Sequence, residues 1–129
     1  MADHTQTIIT AILLTGTQIM TEAQFNQMVD DLMFSIEVSI DDSGADLDYE
    51  NTAGMLTITC DANGSQIILS RQPALGEIWL AARSGGFHFK LDGDSDRGVW
   101  KNTMSGEPLI NMLSNACLEQ SGEQIKFDF

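Results

Sequence analysis

The first 70 residues of this 129-residue chain contain no lysine and no arginine, although the same stretch carries eleven acidic residues, nine of them between Glu22 and Glu50. Over the whole chain the net charge is −13. That balance disfavours nonspecific binding to nucleic acid or to an anionic membrane, and leaves cations and basic protein patches as the complementary partners. Cysteine is also scarce. Cys60 and Cys117 are the only two, and each sits inside an apolar pattern rather than a paired motif. This excludes a disulfide framework and argues for reduced, packed thiols in a reducing compartment. No run approaches the ~18 apolar residues of a membrane helix. No nucleophile–base pair in a known context, glycine-rich phosphate loop or basic aromatic stripe is present.

What is present begins with residues 1–19. They hold a short apolar run at 8–14, but Asp3 stands where a signal peptide carries positive charge, and the arginines of a transit sequence are missing. They are read as a disordered extension, with one globular domain over 20–129.

Thr21 and Gln24 have the spacing of a capping box, so a helix is expected to start there. Phe25, Met28, Val29, Leu32, Ile36 and Ile40 then draw one apolar stripe, which Ser43-Gly44 ends. Asp30, Glu37 and Asp41 fall within about 40° of one another beside that stripe, Asp31 and Asp42 form a second column, and Phe34 lies off the apolar arc. After the helix the period changes to two. Strands are expected at 47–50, 55–60, 66–71, 77–82, 86–91 and near 99–101, with Asn63-Gly64 read as a two-residue hairpin. If Leu47 and Tyr49 face the core, Asp46, Asp48 and Glu50 form a third carboxylate row. A second helix is expected from 105–108 to Gly122, presenting Leu109, Met112, Leu113, Ala116 and Cys117. Helix, antiparallel strands and helix describe an α+β two-layer sandwich of five to six strands. Both helices lie on one sheet face and the other face is wet.

These residues resemble bacterial frataxin of the CyaY type. The resemblance rests on the helix ending in Asp41-Asp42, the LDYE and GMLTIT strands and the NGS turn. Its most specific block is Arg71-Gln72-Pro73 with Ile78-Trp79-Leu80-Ala81 and Gly85-Gly86-Phe87-His88-Phe89. It implies a small α+β protein that binds ferrous and ferric iron weakly through surface carboxylates. It also implies binding to the cysteine desulfurase of iron–sulfur cluster assembly and its scaffold machinery, adjusting cluster formation as iron donor or sensor without catalysing a reaction. Carried over by position, the iron acids are Glu37, Asp41, Asp42, Asp46, Asp48 and Glu50, the residues that spacing also selects. Partner binding falls to Asp30, Asp31, Gln72 and Trp79. The resemblance further implies a cytoplasmic, bacterial protein, monomeric or forming oligomers with iron. Two departures lower the expected number or affinity of iron sites: the short loop Ser43-Gly44-Ala45, and Val38 where a second glutamate often stands. Residues 94–98 look inserted.

The chemistry agrees with a hard cation, since iron, manganese, magnesium and calcium accept oxygen ligands whereas zinc and copper recruit cysteine or histidine. Exposed acids keep their water, so such a site is weak and exchangeable. A solvated acidic face that only aids solubility is the plain alternative. Trp79 is expected on the wet face beside Gln72 and Arg71, as an interface anchor or packed under a neighbour. His88 is expected beside it as an ordinary surface histidine rather than a ligand. Residues 92–96 imitate a calcium loop, but Arg97 replaces the required glycine and Thr103 the final glutamate. A slow surface ferroxidase is the enzymatic alternative, although the Glu-x-x-His pairs of buried di-iron sites are missing. An acidic interaction module without metal is the third.

Overall fold

The computed structural model describes residues 20–93 and 98–129; the extension 1–19 and the heart of the 92–96 calcium-loop motif lie outside them. Helix α1 spans Glu22–Ser43 and α2 spans Leu109–Ser121. Between them run β1 (Leu47–Thr52), β2 (Met55–Cys60), β3 (Gln66–Gln72), β4 (Glu77–Ala82), β5 (Gly85–Asp92) and β6 (Val99–Asn102). All neighbours pair antiparallel in the order β1 to β6. Among the described residues, two helices over a six-stranded open sheet make the α+β sandwich that the pattern predicts.

Local chemistry explains both ends of α1. Gln24 N–H donates to Thr21 Oγ1 at 3.1 Å while Thr21 N–H donates to Gln24 Oε1 at 2.9 Å, which completes the capping box. Gly44, at φ +67°, closes the other end in the left-handed conformation that glycine adopts without strain. The predicted stripe is buried except for half-buried Met28, and Met33, which the stripe did not include, is fully buried with it. The sheet contributes Leu56, Ile58, Ile67, Leu69, Ile78, Leu80 and Phe89, and α2 contributes Leu109, Leu113 and Cys117.

Two expectations about the strands are corrected. Asn63-Gly64 is not a two-residue hairpin, because β2 and β3 are last in register at Thr59–Gln66 and five residues, 61–65, join the strands. The Asn63 side chain instead braces this longer turn, accepting from Ser65 N–H at 2.9 Å and donating to the Gln120 carbonyl at 2.8 Å. The tight turn lies earlier, at Ala53-Gly54 between paired Thr52 and Met55, where φ is +55° and +78°. Arg71 is the second correction. It alternates with wet-face Ser70 and Gln72 and passes to the helix side, away from Trp79.

The C-terminal segment after α2 is part of the core. Ile125 and Phe127 are buried, and Ser114 Oγ donates to the Ile125 carbonyl at 3.3 Å. Both cysteines are free and buried. Burial, with a smaller effect from Cys60, pushes the Cys117 thiol up to about 12. The native protein is therefore expected to resist alkylation, reacting at the rate at which it opens. Labelling with iodoacetamide in native buffer checks this, and complete modification within minutes contradicts it.

Candidate functional site

The carboxylates chosen from the sequence lie on three surfaces: the α1–β1 seam, the outer edge of the sheet and the outer side of α1. On the first, α1 faces β1. The residues of β1 that alternate with Asp48 and Glu50 reach across to it: Tyr49 O–H donates to Asp41 Oδ2 at 2.8 Å, and Asn51 Nδ2 donates to Glu37 Oε2 at 2.9 Å. Each acid is thereby held at the α1–β1 seam, with its second oxygen free of protein hydrogen bonds among the described residues. The Asp41 hydrogen bond pushes the Tyr49 phenol above its ordinary pKa; slight desolvation and the Asp41 and Glu37 charges act in the same sense.

The second surface is the outer edge of the sheet. Asp48 and Glu50 are exposed on its wet face, opposite Thr59 and Thr57 of β2. Beside them sits Asp61, which no periodicity in the sequence singles out. Extending the Leu47–Cys60 register by one residue sets Asp61 against Asp46, and Asp61 N–H donates to the Asp46 carbonyl at 3.1 Å. The register is thus the signal that finds it. Glu123 arrives from beyond α2, and its Oε2 accepts from Asp46 N–H at 2.9 Å. A hydrogen bond to Asp48 raises the Asp61 pKa, helped by desolvation and by the charges of Asp48, Asp46 and Glu123. Asp46, Asp48, Asp61 and Glu123 therefore form one group in which a proton or a cation relieves repulsion.

A carboxyl whose pKa is raised on folding binds protons more readily in the native state. Its contribution to stability is largest when Asp61 is protonated and is lost as pH rises through its raised pKa. Asp61→Asn is expected to raise the melting temperature slightly at pH 7 without metal and to shrink the gain from added divalent ion. Calorimetric melts with and without manganese check both, and an unchanged metal response in the variant contradicts the grouping.

The third surface is the outer side of α1. Asp42 lies there with Phe34 and Val38, against the C-terminal segment. It does not join Glu37 and Asp41, because one residue of helix turns the side chain by about 100°. Asp30 is also set apart: Arg71 Nη2 donates to its Oδ1 at 2.7 Å, with the Arg71 side chain only 16% exposed. Arg71 Nη1 also donates to the Asn26 carbonyl and to Asn26 Oδ1, both at 3.3 Å. Asp30 thus serves to neutralise a largely buried guanidinium, so its assignment to partner binding loses its free charge. Asp31 remains exposed and accepts from Gln27 Nε2 at 2.9 Å.

Among the described residues the ion pairs are Arg71–Asp30, Lys101–Asp92 and the histidine contact His88–Glu77. None involves Glu37, Asp41, Asp42, Asp46, Asp48 or Glu50. Also among the described residues, no three histidine, cysteine, aspartate or glutamate side chains converge closely enough to enclose a metal ion. The donors are all oxygen and all open to water, which suits a hard cation held through few direct bonds.

The wet face carries Trp79, which stacks on His88 with ring centroids 4.3 Å apart and planes 6° from parallel. Glu77 lies beneath both, accepting from Trp79 Nε1 at 2.9 Å and sitting 3.6 Å from His88 Nδ1. The tryptophan is therefore half-buried and fixed in orientation. Gln72, paired in register with Glu77, is half-buried one strand away.

A family model described as a frataxin-like domain matches residues 18–123. The iron–sulfur cluster assembly protein CyaY of Pseudomonas aeruginosa is 50% identical over 108 residues, covering 84% of this chain and 97% of that protein. Its namesake in Azotobacter vinelandii is 48% identical over 108 residues, covering 84% and 96%. Among solved structures, the frataxin of Psychromonas ingrahamii superposes with a TM-score of 0.76 at 33% identity, over 85% of this chain and all of that one. Trimeric frataxin of Saccharomyces cerevisiae, at 22% identity, TM-score 0.58 and 90% and 93% coverage, shares the fold.

Proposed function

The chain belongs to the frataxin-like family, and from that membership we propose that it acts in iron–sulfur cluster assembly. In this role it holds ferrous or ferric iron weakly as cargo and regulates a cysteine desulfurase through its acidic surface. One observation carries the reading: six exposed or half-exposed carboxylates gather around the end of α1 and the β1 edge, none in an ion pair with a described lysine or arginine. Such a surface attracts cations and a basic protein patch alike, and both attractions weaken with salt. We assign iron to Glu37 with Asp41, and to Asp46 and Asp48 with Asp61 and Glu123. Asp42 and Glu50 contribute charge from neighbouring faces. Other divalent ions substitute readily on ligands of this kind. Trp79, with Gln72 beside it, supplies the aromatic contact of the wet face toward the assembly machinery. The chain itself is proposed to catalyse no reaction.

Anaerobic titration with ferrous ion, followed by calorimetry and then by admission of oxygen, tests the iron part. Weak, exchangeable binding without catalytic oxygen uptake is expected. Stoichiometric oxygen consumption that turns over would replace this reading with the ferroxidase one. Binding to a desulfurase in the presence of chelator tests the partner part, with a steep loss of affinity between low and high salt as the expected result.

A further inference from the structure

The outer side of α1 carries a groove that the iron assignment leaves unused. It has a volume of about 510 Å³ and runs between α1 and the C-terminal segment. Phe34 and Val38, one helical turn apart, stand 65% and 39% exposed along it. Ser35 and Ser39, the residues that follow them on α1, make no claim on a ligand. Ser35 Oγ donates to the Asp31 carbonyl at 3.0 Å and Ser39 Oγ to the Ser35 carbonyl at 2.9 Å, so both hydroxyl protons are spent inside the helix. The α1 wall of the groove therefore presents phenyl, isopropyl and small side chains, while Gln124, Lys126 and Asp128 form the opposite, polar wall. Around it the charge is mainly negative: Asp42 and Asp128 line it, Asp31 precedes Phe34 by three residues on α1, and Lys126 is the one cation in the lining.

An apolar centre with an acidic rim is the anatomy of a protein interface rather than of an ion site. Charged rims set the encounter rate and its salt dependence, while a central apolar contact slows dissociation. We infer that this groove is the anchoring part of the partner interface and receives a large apolar side chain bracketed by lysine or arginine. Its occupant is a segment of the basic partner, whose cations meet Asp31, Asp42 and Asp128. The inference rests on the proposed reading that a cysteine desulfurase binds the acidic surface. It adds where on that surface the complex gains the part of its affinity that salt does not remove.

The test is the affinity of the full chain for desulfurase at several salt concentrations, for the wild type and single variants. Phe34→Ser, at an exposed position, is expected to leave the melting temperature within about 2 °C. It is also expected to raise Kd about tenfold at every salt concentration, displacing the line of log Kd against log salt without tilting it. Asp42→Asn is expected to flatten the slope, and Lys126→Gln to tighten binding by removing the cation that repels the partner. A wild-type complex that Phe34→Ser binds equally well overturns the inference and leaves the proposed function standing. Failure of the wild type to bind at low salt overturns both. Tighter binding by Ile12→Asp places residues 8–14 of this chain in the groove, and a Phe34-dependent dimer in sedimentation places a second copy there. Either result also overturns it.

Discussion

Phe127→Ala is expected to destabilise the domain by about 3–5 kcal/mol, the cost of emptying a buried aromatic site, and to lower the melting temperature by about 15 °C. The residue lies six positions beyond the end of helix α2, in a segment without regular structure. Yet it is only 6% exposed, and Ile125 is 2% exposed. The segment alternates: 125 and 127 enter the core, while Gln124, Lys126 and Asp128 line the groove against α1. Deleting residues 123–129 removes both buried apolar side chains, Ile125 and Phe127, and the Glu123 carboxylate that accepts from Asp46 N–H. The combined loss is of the order of the ~5–15 kcal/mol by which native domains are stable, so the shortened chain is expected to be largely unfolded at 37 °C. Phe129→Ala is the control. At 38% exposure it is expected to cost less than about 1 kcal/mol. Thermal melts by circular dichroism decide the matter, and a Phe127→Ala midpoint within 3 °C of wild type contradicts the packing described.

The same segment marks the limit of what periodicity reveals. Helix α1 is legible because a capping box, a 3.6-residue stripe and a terminal glycine all agree, and the six strands are legible from their two-residue alternation. A seven-residue tail in which Ile125, Phe127 and Phe129 alternate with polar residues has the period of a strand but joins no strand among the described residues. Its burial depends on the gap left between two helices, which is a tertiary fact. The carboxylates divide in the same way. Exposure of Asp48 and Glu50 follows from the pleat once Leu47 is buried. Helical angle separates Asp42 from Asp41, but it does not reveal that Tyr49 and Asn51 hold Asp41 and Glu37 from across the seam. Nor does it reveal that Arg71 reaches from β3 to α1 to neutralise Asp30. Asp61 needed a strand register, and Glu123 needed the path of the chain beyond α2. Asn63-Gly64 is a favourable hairpin dipeptide, but strand pairing sets loop length and makes this turn longer, whereas Ala53-Gly54 makes the tight turn without a strong dipeptide signal.

Neutralising four acids at once, with Glu37→Gln, Asp41→Asn, Asp46→Asn and Asp48→Asn, is expected to weaken desulfurase binding about a hundredfold at low salt. That corresponds to roughly 2.8 kcal/mol shared among four charges. The amide replacements keep an oxygen acceptor for Tyr49 and Asn51, so the α1–β1 seam survives. Relief of like-charge repulsion, a few tenths of a kcal/mol per pair, is expected to raise the melting temperature without metal while abolishing most of the gain from iron or manganese. The opposing signs matter because β1 is an edge strand, and acids on such a strand also discourage edge-to-edge aggregation. If protection of the edge were their whole purpose, the variant would aggregate on heating yet bind desulfurase and iron as the wild type does. If they form the working surface, it would melt higher, respond only weakly to cations and bind its partner about a hundredfold less well at low salt. Measuring affinity, metal-free melting and metal-induced stabilisation on one preparation separates the two, since no change in solubility alone produces the second pattern.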